Sequence, residues 1–83
     1  MTKTVIVAQY IKVTIDESKF NDAFLQEFRE NFYNFHTLEE HLEHLAQLYA
    51  RGIADNGSFI EGYGEAKDMG IKFETEGTGT EIE

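Results

Sequence analysis

Cysteine is absent from the chain, which excludes disulfides, thiolate zinc sites and cysteine nucleophiles. Proline is absent too, so none marks a linker. Glycine is missing from residues 1–51, whereas all seven glycines fall in residues 52–83. Long apolar runs are also lacking. The four residues Val5–Ala8 that follow Met1-Thr2-Lys3-Thr4 are too few for a signal peptide or a membrane span, so a soluble cytoplasmic domain is expected. Basic residues are scarce, seven against sixteen acidic, and the net charge of −9 argues against direct binding to DNA, RNA or anionic lipid.

What is present suffices for one modest core. At 83 residues a second independent fold is excluded, and roughly 60% of the unfolded chain's surface can be buried. The glycine-free part carries eight acidic and five basic residues, and the glycine-containing part eight and two. The first is expected to form regular structure and the second loops and short strands. No internal repeat is present.

Thr4 to Ile15 reads as a strand, central in a small sheet, with Val5, Val7, Ile11, Val13 and Ile15 on one parity. Asp16-Glu17-Ser18 then supplies capping side chains. Phe20, Phe24, Phe28, Phe32 and Phe35, with Leu25, form one apolar arc on a helical wheel, leaving Tyr33 off it. Thr37-Leu38-Glu39-Glu40 has the form of a capping box that starts a second helix with Leu38, Leu42, Leu45 and Tyr49 inward. Gly52 fits the left-handed position that ends this helix, with Ile53 folding back on Leu48. Ser58–Glu61 predicts a short strand and Gly70–Glu76 a half-exposed one. Residues 77–83 predict an acidic flexible tail beyond a single domain of residues 1–76. The expected fold is α+β, a small antiparallel sheet with a two-helix hairpin packed on one face in the order β-α-α-β-β.

Chemistry-bearing constellations are sparse. His41 and His44, at i and i+3, could reach one ion with Glu40 or His36, but the spacing is not that of zinc-hydrolase helices and no fourth ligand is evident. A histidine at the helix pairing, beside a carboxylate, is the reading kept, with His44 on the polar face and its proton affinity raised by the carboxylates. Ser18 and Ser58 lack a nucleophile context, and Gly62-Tyr63-Gly64 lacks the lysine and hydroxyl of a phosphate loop. No cofactor, no metal and no catalytic activity are expected. The phenylalanine stripe is read as core, because base stacking would need a basic surround.

The acidic surplus is the remaining feature. Glu39, Glu40 and Glu43 lie toward the outer face of the second helix, where the first-turn dipole also favours them. Asp55, Glu61, Glu65 and Asp68 surround Tyr63 in the glycine-rich segment. Carboxylates interleaved with an aromatic suit a basic protein surface, particularly arginines that normally hold a nucleic-acid backbone. These eight residues are the candidate partner-binding set.

With its acidic helix Glu39-Glu40-His41-Leu42-Glu43 and its carboxylate-rich loop from Glu61 to Asp68, the chain resembles the small acidic phage-encoded inhibitors of host defence of the anti-CRISPR type. The resemblance is one of size, charge and layout and carries no shared motif. It implies a stoichiometric blocker of a basic protein or ribonucleoprotein, a nucleic-acid mimic acting in the host cytoplasm. The rival expectation is a structural or assembly protein acting as a homodimer through strand edges or exposed Tyr33, since a small core benefits from oligomerisation.

Overall fold

The computed structural model describes residues 1–83 as an α+β fold. The elements are β1 (Val5–Thr14), α1 (Asp22–Asn31), α2 (Leu38–Ala50), β2 (Phe59–Ile60), β3 (Gly64–Glu65) and β4 (Lys72–Ile82), with single 3₁₀ turns at Glu17–Lys19 and Ala66–Met69. No helix is long and apolar enough to cross a membrane.

Local side chains punctuate the helices. Asp16 caps the first 3₁₀ turn, its Oδ1 accepting from the Ser18 N–H at 3.0 Å and the Ser18 hydroxyl at 2.6 Å. These bonds hold its carboxyl below the usual range. Asn21 caps α1 by accepting from the Phe24 N–H at 2.9 Å, so the helix begins after Phe20. The capping box of α2 forms as the sequence predicts: Thr37 Oγ1 accepts from the Glu40 N–H, and Glu40 Oε1 accepts from the Thr37 N–H. At the other end Gly52 takes φ +74°. Its N–H donates to Tyr49 and the Ile53 N–H to Leu48, which satisfies two terminal carbonyls.

β1 and β4 pair antiparallel as a two-stranded sheet, and β2 and β3 form a separate short hairpin. This corrects the sequence reading in three ways. The order is β-α-α-β-β-β, with two sheets instead of one. β1 has a single strand neighbour, so it is an edge, not central. Residues 77–82 are strand and not tail: Gly77 to Ile82 pair with Tyr10 to Val5. The apolar content of that segment is low, and what orders it is the ladder offered by β1, a pairing partner some seventy residues earlier. A bulge at Glu76 shifts the register between Tyr10 and Ile11, which sharpens the local twist where the ribbon leaves the body.

The core gathers Phe20, Phe28, Leu45, Ala54, Ile60, Tyr63, Ala66, Ile71 and Phe73. α2 packs on β1, and its Tyr49 stacks on Phe73 of the neighbouring β4 at 4.7 Å. α1 meets α2 through rings, Phe24 and Phe28 lying 6.3 and 4.7 Å from His41. The first half of β1 and the last half of β4 contribute nothing to this core. They extend the molecule to 52 Å against 24 and 17 Å in the other directions.

Candidate partner-binding surface

The aromatic stripe of α1 does two jobs because the helix ends at Asn31. Phe28, inside the helix, is buried, whereas Phe32, just past the last turn, is turned partly to solvent. Beyond it Tyr33 is exposed and lies edge-on to His44 at 5.0 Å. On the facing side α2 supplies His44 and Leu48, the glycine stop places Ile53 in the open, and β2 adds Phe59 and Ile60. Together these residues line a groove of about 800 Å³, with Asn31, His44 and Glu61 as its polar members. Ile53 and Phe59 are 64% and 67% exposed, well above what the burial-seeking chemistry of such side chains leads one to expect of an inert surface.

Glu61 is the one acidic side chain in the groove wall, and no lysine or arginine lines it. His44 is half-buried, and burial, followed by the charge of Arg51, lowers its proton affinity. The sequence expectation was the reverse. The carboxylate expected to favour its protonated form, that of Glu40, is turned to the helix start, where it accepts from the His36 N–H at 3.0 Å, the Thr37 N–H at 3.2 Å and the Thr37 hydroxyl. The His36 bond is the main reason the Glu40 carboxyl is held below its usual range.

His41 stands at the pairing of α1 and α2, as the sequence reading expects. It is fully buried, ringed by Phe20, Phe24, Phe28, Phe35 and Tyr63, and its Nδ1 lies 2.9 Å from the Tyr63 hydroxyl. Burial first, then the nearby His44 and Arg29, lowers its proton affinity, with Glu40 opposing. Its Nε2 has no hydrogen-bond partner. The imidazole lies edge-to-face with Phe28 and Phe35, and these aromatic surroundings suit its neutral form.

The eight expected contact residues separate into groups. Glu39 and Glu43 are exposed one turn apart on α2, away from the groove. Glu40 is committed to the cap. Asp55 is exposed in a turn, its Oδ1 accepting from the Asn56 N–H at 2.8 Å. Glu65 is exposed opposite Phe59 in the β2–β3 pair, and Asp68 is exposed on the second 3₁₀ turn. Glu61 alone of the set lines the groove. Tyr63, expected as a contact, is only 5% exposed and is a core residue. Burial raises its phenol far above the ordinary range. Its glycine neighbours suggested an open loop, but they are the means by which a large ring turns inward. Gly62 has φ +92°, and a Cβ there would lie 2.8 Å from Phe28 Cε2.

None of the hydrogen bonds made by acidic side chains is to a lysine or arginine. The cations are instead concentrated. Lys12, Lys67 and Lys72, three of the seven basic residues, line a second cleft of about 590 Å³ at the base of the ribbon. Glu74 lines that cleft as well, and none of its residues is shared with the groove. Tyr33 is exposed, as the sequence reading expects, and the groove residues missed by sequence reasoning are Phe32, His44, Ile53 and Phe59. Phe32 was read on the core arc because that pattern runs on to Phe35, whereas α1 ends at Asn31. No protein-family model, no curated protein and no solved structure matches this chain.

Proposed function

We propose that the protein is a non-catalytic inhibitor that docks on a basic surface of a nucleic-acid-handling protein and blocks it stoichiometrically. The observation that carries this reading is the groove of exposed Phe32, Tyr33, Ile53 and Phe59 with Glu61 at its margin, in a molecule of net charge −9. Protein interfaces take their energy from aromatic anchors in desolvated pockets and their selectivity from a charged rim. An arginine side chain satisfies both elements. Its stem packs along Ile53 and Leu48, its guanidinium stacks on Phe59 or Tyr33, and Glu61 accepts its hydrogen bonds. Neutral His44 leaves that cation unopposed. Arginine-rich surfaces are what such partners use to hold phosphate, and the resemblance to anti-CRISPR inhibitors supplies the class, a CRISPR effector ribonucleoprotein. Glu39, Glu43, Asp55, Glu65 and Asp68 act at longer range, as a field that accelerates encounter.

The test is a titration of purified CRISPR effector complexes with the protein, reading target-DNA binding at low and high salt. Inhibition should saturate near one molecule per complex and weaken steeply with salt. Phe59→Ala combined with Glu61→Lys should abolish it while the circular dichroism spectrum stays unchanged. Inhibition that survives this pair of changes removes the groove from the mechanism. A panel of effectors in which none is inhibited removes the reading itself.

A further inference from the structure

We propose that the outer edge of β1 is a self-association site, at which two copies of the chain pair β1 against β1 antiparallel to form a four-stranded sheet. The hydrogen-bond parity of the ribbon defines that edge. On β4 the Phe73 N–H and C=O are taken by the Asn56 side chain at 2.8 and 3.0 Å, so they point away from β1. Val13 lies opposite Phe73, and its own groups therefore point away from β4. At the far end the Glu83 N–H donates to the Thr4 carbonyl at 2.9 Å, which turns Thr4 inward. Strand alternation then directs the even residues of β1 to β4 and leaves Val5, Val7 and Gln9 presenting their amides and carbonyls outward. No other backbone or side-chain group in the chain bonds to them.

The side chains along this half of the ribbon are apolar and uncovered, with Val5 at 49% and Val7 at 66% exposure and Ile6 and Tyr10 exposed on the opposite face. A two-stranded ribbon whose outer half buries no residue is marginal in water, and additional strands are the usual remedy. Three features select a second copy as the occupant. Residues 1–15 are the longest acid-free stretch of a strongly acidic chain, so β1 is where two copies approach with least repulsion. Isologous pairing satisfies the same groups on both copies at once. It also disfavours further growth, because the outer strands of the resulting sheet are both β4, whose edge is taken by Asn56 at Phe73 and carries Glu74, Glu76, Glu81 and, just beyond, Glu83 along the rest of its length.

Sedimentation of the full chain between about 1 and 200 µM tests this. A rise in mass toward twice 9.5 kDa is expected, strengthened by salt, which screens the repulsion between copies. Val7→Pro removes an outward N–H that β4 does not use, and should weaken the dimer roughly tenfold or more, since the lost bond counts twice. Amide exchange on the unmodified protein gives a readout independent of that variant's folding. Val7 and Gln9 amides should gain protection as concentration rises, while those of Ile6 and Ala8 are protected throughout. A monomer across the whole range overturns the proposal. So does a dimer that leaves Val7 and Gln9 unprotected, or one that persists in Val7→Pro and is broken by Phe59→Ala.

Discussion

Replacing Tyr63 by phenylalanine isolates the one polar contact in the core. The ring would keep its places 5.0 Å from Phe28 and 6.0 Å from Phe20 and Phe24, so only the hydroxyl is lost. What remains is His41 with both ring nitrogens buried and unpaired, since Nε2 already lacks a partner. Stranding a buried polar atom costs about 1–3 kcal/mol, which for a domain of this size lowers the melting temperature by about 10 °C. His41→Leu removes the other member, and the double variant should be less destabilised than the sum of the two singles, because the second change removes the stranded group. The pH dependence gives an independent check. The folded-state proton affinity of His41 lies below that of the unfolded chain, so above pH about 6.5 both states are neutral and stability is full. Below it the unfolded state takes up the proton first, and stability falls with a slope approaching about 1.4 kcal/mol per pH unit for this histidine until the folded pKa is reached. Denaturant melts followed by circular dichroism at pH 7.5 and 5.5 measure all of this. Tyr63→Phe within about 0.5 kcal/mol of the unmodified protein at pH 7.5, or additive singles, would refute the reasoning.

Other substitutions probe features placed by the fold. Gly70→Ala should be strongly destabilising, because φ there is +65° and the new Cβ would fall 2.6 Å from Asp16 Cβ and 2.9 Å from the Asp16 nitrogen; thermal melting reads it. Gly57→Ala makes the contrasting case: its φ is +74° with open space around the added methyl, so only the backbone cost of about 1 kcal/mol applies. Thr37→Ala opens the capping box and should lower stability by about 1 kcal/mol, with the first turn of α2 losing amide protection in hydrogen exchange.

How much of this was legible in the sequence follows the range of the bonds involved. The capping box at Thr37 and the glycine stop at Gly52 are made by residues three to five apart, and both are readable in one sequence. His41 was only partly so. Its place at the helix pairing was readable, but its full burial is decided by Phe20, Phe24 and Phe28 from one side and Tyr63 from twenty-two residues downstream. Tyr63 was misread for the same reason, since flanking glycines signal backbone freedom without saying which way the ring turns. Strand residues 77–82 have little apolar pattern of their own and are ordered by a non-local ladder. The carboxylates were read as a set from proximity along the chain. Folding separates Glu39 and Glu43 from Glu61, commits Glu40 to a cap, and brings Phe32, Tyr33 and Phe59 into one groove with Glu61.

The groove and the β1 edge are compatible because α2 stands between them. His44 and Leu48 face the groove, whereas Ala46, Gln47 and Ala50 lie beside Val7, Gln9 and Ile11 of β1, so the two surfaces use different sides of one helix. That helix is fixed at both ends, by Thr37 with Glu40 and by Gly52 with Ile53, and carries the buried His41 between. Pairing through β1 therefore leaves both grooves of a dimer open and holds them at a set separation. A partner with two basic sites, or two copies of one site, would then be engaged twice, the second contact forming at a high effective concentration set by the rigid sheet. Net charge enters the two associations with opposite sign: it strengthens docking on a basic surface and opposes pairing between copies. Added salt moves the two equilibria in opposite directions, and that opposition distinguishes an anionic contact surface from an edge strand paired through its backbone.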